Sequence, residues 1–281
     1  MGKASLAPKP DAGLFWRVHR YLPWLRNGIT IRRYAFLLRG FSVPNLPLLR
    51  RISSVFSELG GPILLGIVSL TALVFAWLGA EVGEGETRGF DDTILLALRQ
   101  PGDLTQPVGP HWLQSTMLDL TALGGGSVLT LVTFVVIGSL LVQRKRADAL
   151  FVAAAIGGGA VLNTVLKIGY ARPRPALVAH LVEVTSLSFP SGHAMNSAVV
   201  YLTLSVLLAR AVPDRRLKAY ALWVGVVLTL IVGSSRVYLG VHWPTDVVAG
   251  WAIGSAWAGL CWLIAERQRR ARQTGKTRSQ S

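Results

Sequence analysis

The chain has 281 residues and carries 29 Lys and Arg against 14 Asp and Glu, a formal net charge of +15. Only 15% of its residues are charged and 51% are hydrophobic, which excludes a disordered chain and disfavours an ordinary soluble domain. The single cysteine, Cys261, excludes an internal disulfide framework and a cysteine-based zinc site. This composition predicts a polytopic membrane protein, and in such a chain the excess positive charge does not indicate a nucleic-acid partner.

Six stretches come close to the roughly 20 mostly apolar residues that a membrane-spanning helix needs. They cover residues 62–80, 123–142, 149–168, 194–212, 217–234 and 247–265. We therefore expect an all-α bundle of six transmembrane helices over residues 59–266, between a basic amino-terminal arm (residues 1–58) and a basic tail (residues 267–281). The arm shows no signal-peptide pattern, so the first span is expected to act as an uncleaved insertion signal.

Charge decides which side of the membrane each loop faces. Most of the 29 basic residues lie in the arm, in the loops after the second and fourth spans, and in the tail. The loop after the first span, residues 81–122, has seven acidic residues and two arginines. The positive-inside rule then predicts a multi-pass membrane protein with both termini in the cytoplasm.

Two flanking regions carry weaker patterns. Residues 14–40 interleave aromatic and basic side chains, which is typical either of an amphipathic helix on an anionic leaflet or of a solvated basic arm. In the first outer loop, a short interfacial helix is predicted by four apolar residues at helical spacing: Phe90, Ile94, Leu95 and Leu98. Glycine runs at residues 124–126 and 157–159 are expected to permit close helix packing rather than to bind phosphate.

Ionisable residues near a bilayer are costly and usually functional, and here they form three clusters. Lys167 and Arg174 end the third span, residues 190–193 (Pro-Ser-Gly-His) begin the fourth, and residues 235–246 link the fifth to the sixth. With the predicted orientation all three clusters lie at outward-facing ends. The topology alone therefore brings them to one face of the membrane.

The first chemistry that these clusters predict is phosphate binding. Lys167, Arg174 and Arg236 supply cations, and arginine can hold two oxygens with its planar fork. Ser191 and Gly192 have the pattern of a helix cap and first turn, where backbone N–H groups and a hydroxyl form an anion site. A glycine there lets the phosphate approach the backbone without a side chain in the way.

Two histidines add reactivity to this site. Asp246 lies four residues after His242, so that the carboxylate can hold one ring nitrogen protonated and leave the other free to attack phosphorus. His193 follows the phosphate-binding turn and could protonate a leaving alkoxide. Because the nearby sequence offers no carboxylate cluster suited to magnesium, we expect no metal and no other cofactor.

Other polar residues have simpler interpretations. Arg172 stays open between a contact to substrate and a solvated neighbour of Arg174. Asn163 and Asn196 are interpreted as partners in a hydrogen bond between helices. Three further histidines are interpreted as interfacial polar residues: His19, His111 and His180.

Taken together, the three clusters resemble the signature of the type 2 phosphatidic acid phosphatase superfamily. That signature reads K-x6-R-P, P-S-G-H and S-R-x5-H-x3-D, and every specified position matches in the family's order. The matching residues are Lys167, Arg174, Pro175, residues 190–193, Ser235, Arg236, His242 and Asp246. The resemblance covers roughly residues 60–265 and leaves out the arm.

The resemblance implies a six-helix bundle without a metal cofactor and a role for each matching residue. His242 would be the nucleophile that forms a phosphohistidine, Asp246 would orient it, and His193 would be the general acid. Five residues would bind the phosphate oxygens: Lys167, Arg174, Ser191, Gly192 and Arg236.

The predicted function is that of a lipid phosphate or diphosphate phosphatase whose active site lies at the outer face of the inner (plasma) membrane. Candidate substrates are undecaprenyl diphosphate, phosphatidate, phosphatidylglycerophosphate and lipid A phosphate, and membrane lipids are the expected partners. A lipid phosphotransferase with the same phosphohistidine chemistry is the alternative, and a polytopic anion binder without turnover is a third hypothesis. The spans disfavour the soluble haloperoxidases of the same superfamily, and the sequence does not indicate an oligomeric state.

Overall fold

The computed structural model describes the backbone of residues 47–278 and the side chains of residues 61–273. The chain divides into two compact units, Met1–Phe56 and Ser57–Ser281, and every side chain discussed below lies in the second. The interpretation of residues 14–40 falls outside the described residues, as does that of His19. The described elements, in chain order, are α1 (Pro47–Glu84), α2 (Arg88–Ala97), β1 (Arg99–Gln100), β2 (Asp103–Pro107), α3 (His111–Ala122), α4 (Gly126–Val142), α5 (Arg146–Tyr170), α6 (Gly192–Ala211), α7 (Arg215–Tyr238) and α8 (Pro244–Arg278).

The prediction of an all-α polytopic membrane bundle is confirmed. Five of the described helices contain a stretch that is long and apolar enough to cross a membrane, in α1, α5, α6, α7 and α8. The second predicted span, residues 123–142, is not one straight helix, because α4 has only 17 residues and continues from α3 across a bend of 45°. Six spans result when this bent pair is counted as one broken span.

Glycine explains where the second span breaks. Between α3 and α4 the chain leaves helical geometry at Gly125, which caps α4 in an extended conformation. A Cβ at Gly124 would lie 2.2 Å from Cγ1 of Val232 on α7, so only glycine fits this close approach. The Tyr201 hydroxyl of α6 donates to the carbonyl of Leu123 at 2.7 Å and satisfies a backbone group that the break releases from the helix.

Helix α6 lies at the centre of the bundle, packed against α4, α5, α7 and α8. Small residues allow this, since a Cβ at Gly254 of α8 would lie 2.6 Å from the Met195 carbonyl oxygen of α6. On α5, a Cβ at Gly159 would lie 2.9 Å from Val199 of α6. The expectation that the glycine runs permit close helix packing is confirmed at Gly124 and Gly159.

The loop after the first span contains the predicted short helix, α2. Asp91 and Leu95 are fully buried, whereas Phe90 is 59% exposed. The loop also contains an unpredicted antiparallel hairpin, β1–β2, which turns at Gly102 with φ of 90°. Arg99 of β1 is buried and donates to the carbonyl of Tyr238 at 3.0 Å, which ties the hairpin to the end of α7.

Gly158 gives a direct test of the packing of α5 against α8. A Cβ there would lie 2.5 Å from Cζ2 of Trp257, whose indole nitrogen donates to the Ala155 carbonyl at 2.7 Å. We expect Gly158→Ala to lower the free energy of unfolding by about 1–3 kcal/mol through overpacking, measured by thermal unfolding in detergent. Gly157→Ala is the matched control, because a Cβ there meets nothing within 4 Å. Equal stability of the two variants would contradict this.

Candidate active site

The helix ends that the sequence placed on one face do meet in the structure. The end of α5, the start of α6, the end of α7 and the start of α8 surround a common space, and two linkers join them. The Ser191 backbone N–H donates to the Asp246 carbonyl at 2.9 Å, which joins the first turns of α6 and α8. A Cβ at Gly250 would lie 2.8 Å from the Ser191 carbonyl oxygen, so glycine is required for this close approach.

His242 and Asp246 form a buried pair at the start of α8. His242 Nδ1 lies 3.3 Å from Asp246 Oδ2, and the two side chains are 2% and 0% exposed. The Ser188 hydroxyl donates to the same carboxylate oxygen and lies 3.4 Å from His242 Nδ1. The backbone N–H of Trp243 donates to this oxygen at 3.1 Å. The pairing expected from the four-residue spacing is therefore present, with two donors that the spacing did not indicate.

Arg174 fixes the protonation state of the imidazole. Its Nη1 lies 3.2 Å from His242 Nε2 and donates to the Val241 carbonyl at 2.5 Å. A guanidinium can only donate, so Nε2 carries an electron pair and the proton resides on Nδ1, facing Asp246. Burial lowers the pKa of His242 to about 4, against the opposing effect of Asp246, so the ring is neutral at pH 7.

The Arg174 side chain is held in place by the linker between α5 and α6. Its Nε donates to the Ser186 carbonyl at 2.7 Å, and its Nη2 donates to the Ser186 hydroxyl at 3.1 Å. Burial lowers the pKa of the guanidinium from its usual value, although Asp246 opposes this. The fork is thereby set beside His242 before any substrate binds.

The remaining basic residues point into the same space. Lys167 Nζ donates to the Leu187 carbonyl at 2.5 Å. Arg236 is 3% exposed, and its Nη1 donates to the Thr121 hydroxyl of α3 at 2.9 Å. Within residues 61–273 its Nε has no hydrogen-bond partner, although it is buried. A buried donor of this kind is available to an anion.

The first turn of α6 completes the site. Ser191 caps the helix, with its hydroxyl accepting from the Ala194 N–H at 3.5 Å, as its position before an apolar run predicted. A Cβ at Gly192 would lie 3.5 Å from Cε of Lys167. A Cβ at Gly124 would lie 3.2 Å from Cδ2 of His193, so the break in the second span sets one wall beside this histidine.

His193 follows Gly192 in the first turn of α6 and lies close to the cationic side chains of the site. A charge on its ring would interact with four groups of the site: Arg236, His242, Arg174 and Lys167. All eight residues predicted for the site are thus brought together: Lys167, Arg174, Ser191, Gly192, His193, Arg236, His242 and Asp246. The arrangement can bind an anion next to an imidazole whose Nε2 carries an electron pair.

Several residues differ from their sequence interpretation or were missed by it. Arg172 is not a solvated neighbour of Arg174, because its guanidinium forms ion pairs with the buried carboxylates of Asp246 and Asp91. Asn163 and Asn196 form the expected interhelical hydrogen bond at 3.4 Å. Five polar residues that hydrogen-bond around the site were missed, because their spacing in the sequence does not indicate these contacts. They are Asp91, Thr121, Ser186, Ser188 and Thr245.

Cationic side chains thus lie beside a neutral imidazole at one end of a bundle whose helices are long and apolar enough to cross a membrane, an arrangement that suits an integral-membrane phosphatase. The sequence model of the PAP2 superfamily matches residues 148–270. The chain is 35% identical over 206 residues to phosphatidylglycerophosphatase B of Bacillus subtilis (strain 168), which spans 72% of this chain and 96% of the relative. It is 34% identical over 122 residues to undecaprenyl-diphosphatase of Sulfolobus acidocaldarius, covering 41% of this chain and 54% of that protein.

A solved structure agrees with these matches. The crystal structure of a transmembrane PAP2 type phosphatidylglycerolphosphate phosphatase from Bacillus subtilis superposes with a TM-score of 0.65 at 32% identity. The match covers 71% of this chain and 96% of the other. The protein belongs to the PAP2 superfamily and is a membrane phosphatase, as the resemblance of its three clusters implied.

The lowered pKa of His242 predicts how stability depends on pH. Between about 4 and the unfolded value of about 6.5 the unfolded chain binds more protons at this residue, so the free energy of unfolding falls as the pH falls through this window. The shift corresponds to about 3 kcal/mol when complete. We expect thermal unfolding in detergent to show a steeper loss of stability from pH 7 to pH 4.5 in the wild type than in His242→Gln. Parallel curves would contradict this.

Proposed function

We propose that the protein removes a phosphate group from a lipid at the outer face of the inner membrane, through a phosphohistidine formed on His242. One observation carries this proposal: Arg174 donates toward His242 Nε2 at 3.2 Å, so the nitrogen that faces the cations is the one with the electron pair. A phosphate held by those cations would meet the nucleophile directly.

In the first step, the electron pair of His242 Nε2 attacks phosphorus and the bond from phosphorus to the lipid oxygen breaks. The departing oxygen takes a proton from His193, and Asp246 stabilises the positive charge that develops on the His242 ring. In the second step, water attacks the phosphohistidine, gives its proton to His193 and releases inorganic phosphate. The active-site groups then return to their starting protonation states.

The phosphate oxygens would be held by Lys167, Arg174 and Arg236 together with Ser191 and the backbone of Gly192. Phosphoryl transfer depends chiefly on positioning and on charge stabilisation, which fixed cations and helix N–H groups supply. The unpartnered Nε of Arg236 and the position of Gly192 beside Lys167 support this assignment. We therefore propose that the reaction does not need a metal ion.

Phosphatidylglycerophosphate is the first candidate substrate, because the relative that matches over most of its own length is called phosphatidylglycerophosphatase B. Undecaprenyl diphosphate, phosphatidate and lipid A phosphate remain in the panel. A site at the mouth of a membrane bundle favours a lipid, since each buried CH₂ contributes about 0.8 kcal/mol.

Phosphate release by purified protein in detergent, with EDTA present, tests the reaction. We expect release from at least one of the four lipids, with loss of most turnover in His242→Ala and a loss of about 100-fold or more in Asp246→Asn. Labelled phosphate should be trapped on the wild type and not on His242→Ala. Turnover that disappears with EDTA, or that survives in His242→Ala, would contradict the mechanism.

His180→Ala is the matched histidine control. His180 lies in the linker between α5 and α6, where its Nε2 is 2.7 Å from the Pro175 carbonyl oxygen. Within residues 61–273, no hydrogen bond or ion pair joins it to the residues proposed to act. Turnover near that of the wild type is expected. An equal loss in His180→Ala, His242→Ala and Asp246→Asn, with folding intact, would overturn the assignment of roles.

The proposed orientation is tested with impermeant thiol reagents on intact cells. In a Cys261→Ser background, Asp103→Cys on the outer hairpin should be labelled from outside, because the positive-inside rule places this hairpin there. Lys145→Cys, between α4 and α5, should be labelled only after the membrane is permeabilised. Both side chains are exposed, so a reversed result would mean the opposite orientation.

A further inference from the structure

Behind the His242–Asp246 pair lies a second ionic contact that no signature residue explains. Arg172 Nη1 donates to Asp246 Oδ1 at 2.6 Å, and its Nη2 donates to Asp91 Oδ2 at 2.8 Å. Both carboxylates are 0% exposed and the Arg172 side chain is 10% exposed. One arginine therefore bridges two buried carboxylates, one on the outer-loop helix α2 and one on α8.

The bridge is closed by further hydrogen bonds. The Thr245 backbone N–H donates to Asp91 Oδ1 at 3.0 Å, and its hydroxyl donates to Asp91 Oδ2 at 2.7 Å. Arg172 also donates to the hydroxyls of Thr245 and Thr87, at 2.9 and 3.2 Å. The Trp243 ring lies 5.2 Å from the guanidinium carbon. These contacts hold Arg172 in one geometry, as an arginine between two carboxylates requires.

We propose that Asp91 and Arg172 are positioning residues for the His242–Asp246 pair. Arg172 holds Oδ1 of Asp246 so that Oδ2 faces His242. Asp91 neutralises Arg172, so that Asp246 keeps its charge for the histidine. This inference rests on the proposed function, in which His242 accepts the phosphoryl group.

The charge balance explains why both partners are needed. Phosphorylation of Nε2 turns the neutral His242 ring into a cation, which the Asp246 carboxylate stabilises across Nδ1–H. Arg172 alone would offset that carboxylate in a buried site where charges interact strongly. With Asp91 included, the three charges behind His242 sum to one negative charge. Removal of the Asp91 charge would leave no net charge there.

The other charges around His242 stay the same in variants of Asp91. They are Lys167 on α5, Arg174 in the following linker, His193 on α6, Arg236 on α7 and Asp246 on α8. All except Asp246 are cationic or can become so, and they oppose a positive His242. The net negative charge of the Asp91–Arg172–Asp246 group opposes these cations. Loss of that charge should therefore destabilise the cationic form of His242.

Steady-state kinetics of Asp91→Asn tests the proposal, with the lipid phosphate that the wild type turns over fastest. We expect kcat to fall about tenfold, the effect of one charge-assisted hydrogen bond, with KM within about twofold. The acid limb of kcat/KM should move to lower pH, because a less compensated Arg172 makes His242 harder to protonate. Asp92→Asn, the neighbouring acid on α2, is the matched control and should leave all three quantities unchanged.

The double variant Asp91→Asn/Arg172→Gln separates positioning from general damage. If the two residues act as one unit, its kcat should be no lower than that of the worse single variant, whereas independent effects would multiply. If Asp91→Asn does not fold, Arg172→Lys replaces it. A lysine cannot bridge two carboxylates in this way, and the same tenfold loss of kcat with unchanged KM is expected.

Three outcomes overturn the proposal: a wild-type kcat and pH profile in Asp91→Asn, an unshifted acid limb despite a lower kcat, or losses that multiply in the double variant. Failure of the proposed function itself would look different. In that case turnover would survive in His242→Ala, and labelled phosphate would not be trapped on the wild type.

Discussion

The carboxylate of Asp246 is where the segments around the site are joined. A carboxylate that is taken out of water is costly unless its oxygens are paired and hydrogen-bonded. Here Ser188, the Trp243 N–H and Arg172 all donate to it, while one oxygen also faces His242. Ser188 and Arg172 lie in the linker between α5 and α6, and Trp243 lies in the linker between α7 and α8. Hydrogen bonds to one buried charge therefore fix the positions of both linkers.

The long basic side chains serve the backbone as well as the proposed chemistry. Irregular chain at the end of a membrane bundle leaves carbonyls that need donors. Lys167 and Arg174 supply them, to the carbonyls of residues 187 and 241. Side chains anchored in this way lose little freedom when an anion binds between them, which is the preorganisation that electrostatic catalysis requires.

Features encoded over short distances along the chain could be predicted, whereas those set by distant contacts could not. The pairing of His242 with Asp246 follows from four-residue spacing, and the cap at Ser191 follows from its place before an apolar run. The hairpin at residues 99–107 has no alternation of apolar and polar residues that would predict it. A contact that holds it in place joins Arg99 to a carbonyl 139 residues away, which no local pattern can show. The mean hydropathy of the second span does not indicate its bend, although the glycines at residues 124–126 lie where the bend occurs.

Asp91 is the clearest case of missing sequence information. It is one acid among seven in the loop after the first span, and its partner Thr245 lies 154 residues further along the chain. The role of Arg172 could not be predicted for a related reason. The family signature specifies Arg174 but not Arg172, and the local sequence does not indicate what Arg172 binds. The packing of α2 against α8 gives the two arginines different partners. Arg172 lies between two carboxylates, and Arg174 lies beside the imidazole of His242.

The link from Asp91 to Thr245 also bears on biosynthesis. In a chain made from its amino terminus, α2 leaves the ribosome long before α8. Until the last span is threaded into the bilayer, the acid on α2 has no threonine to bind and Asp246 is not yet in place. We therefore expect chains that are truncated before residue 242 to lack both the proposed nucleophile and its acid partner Asp246.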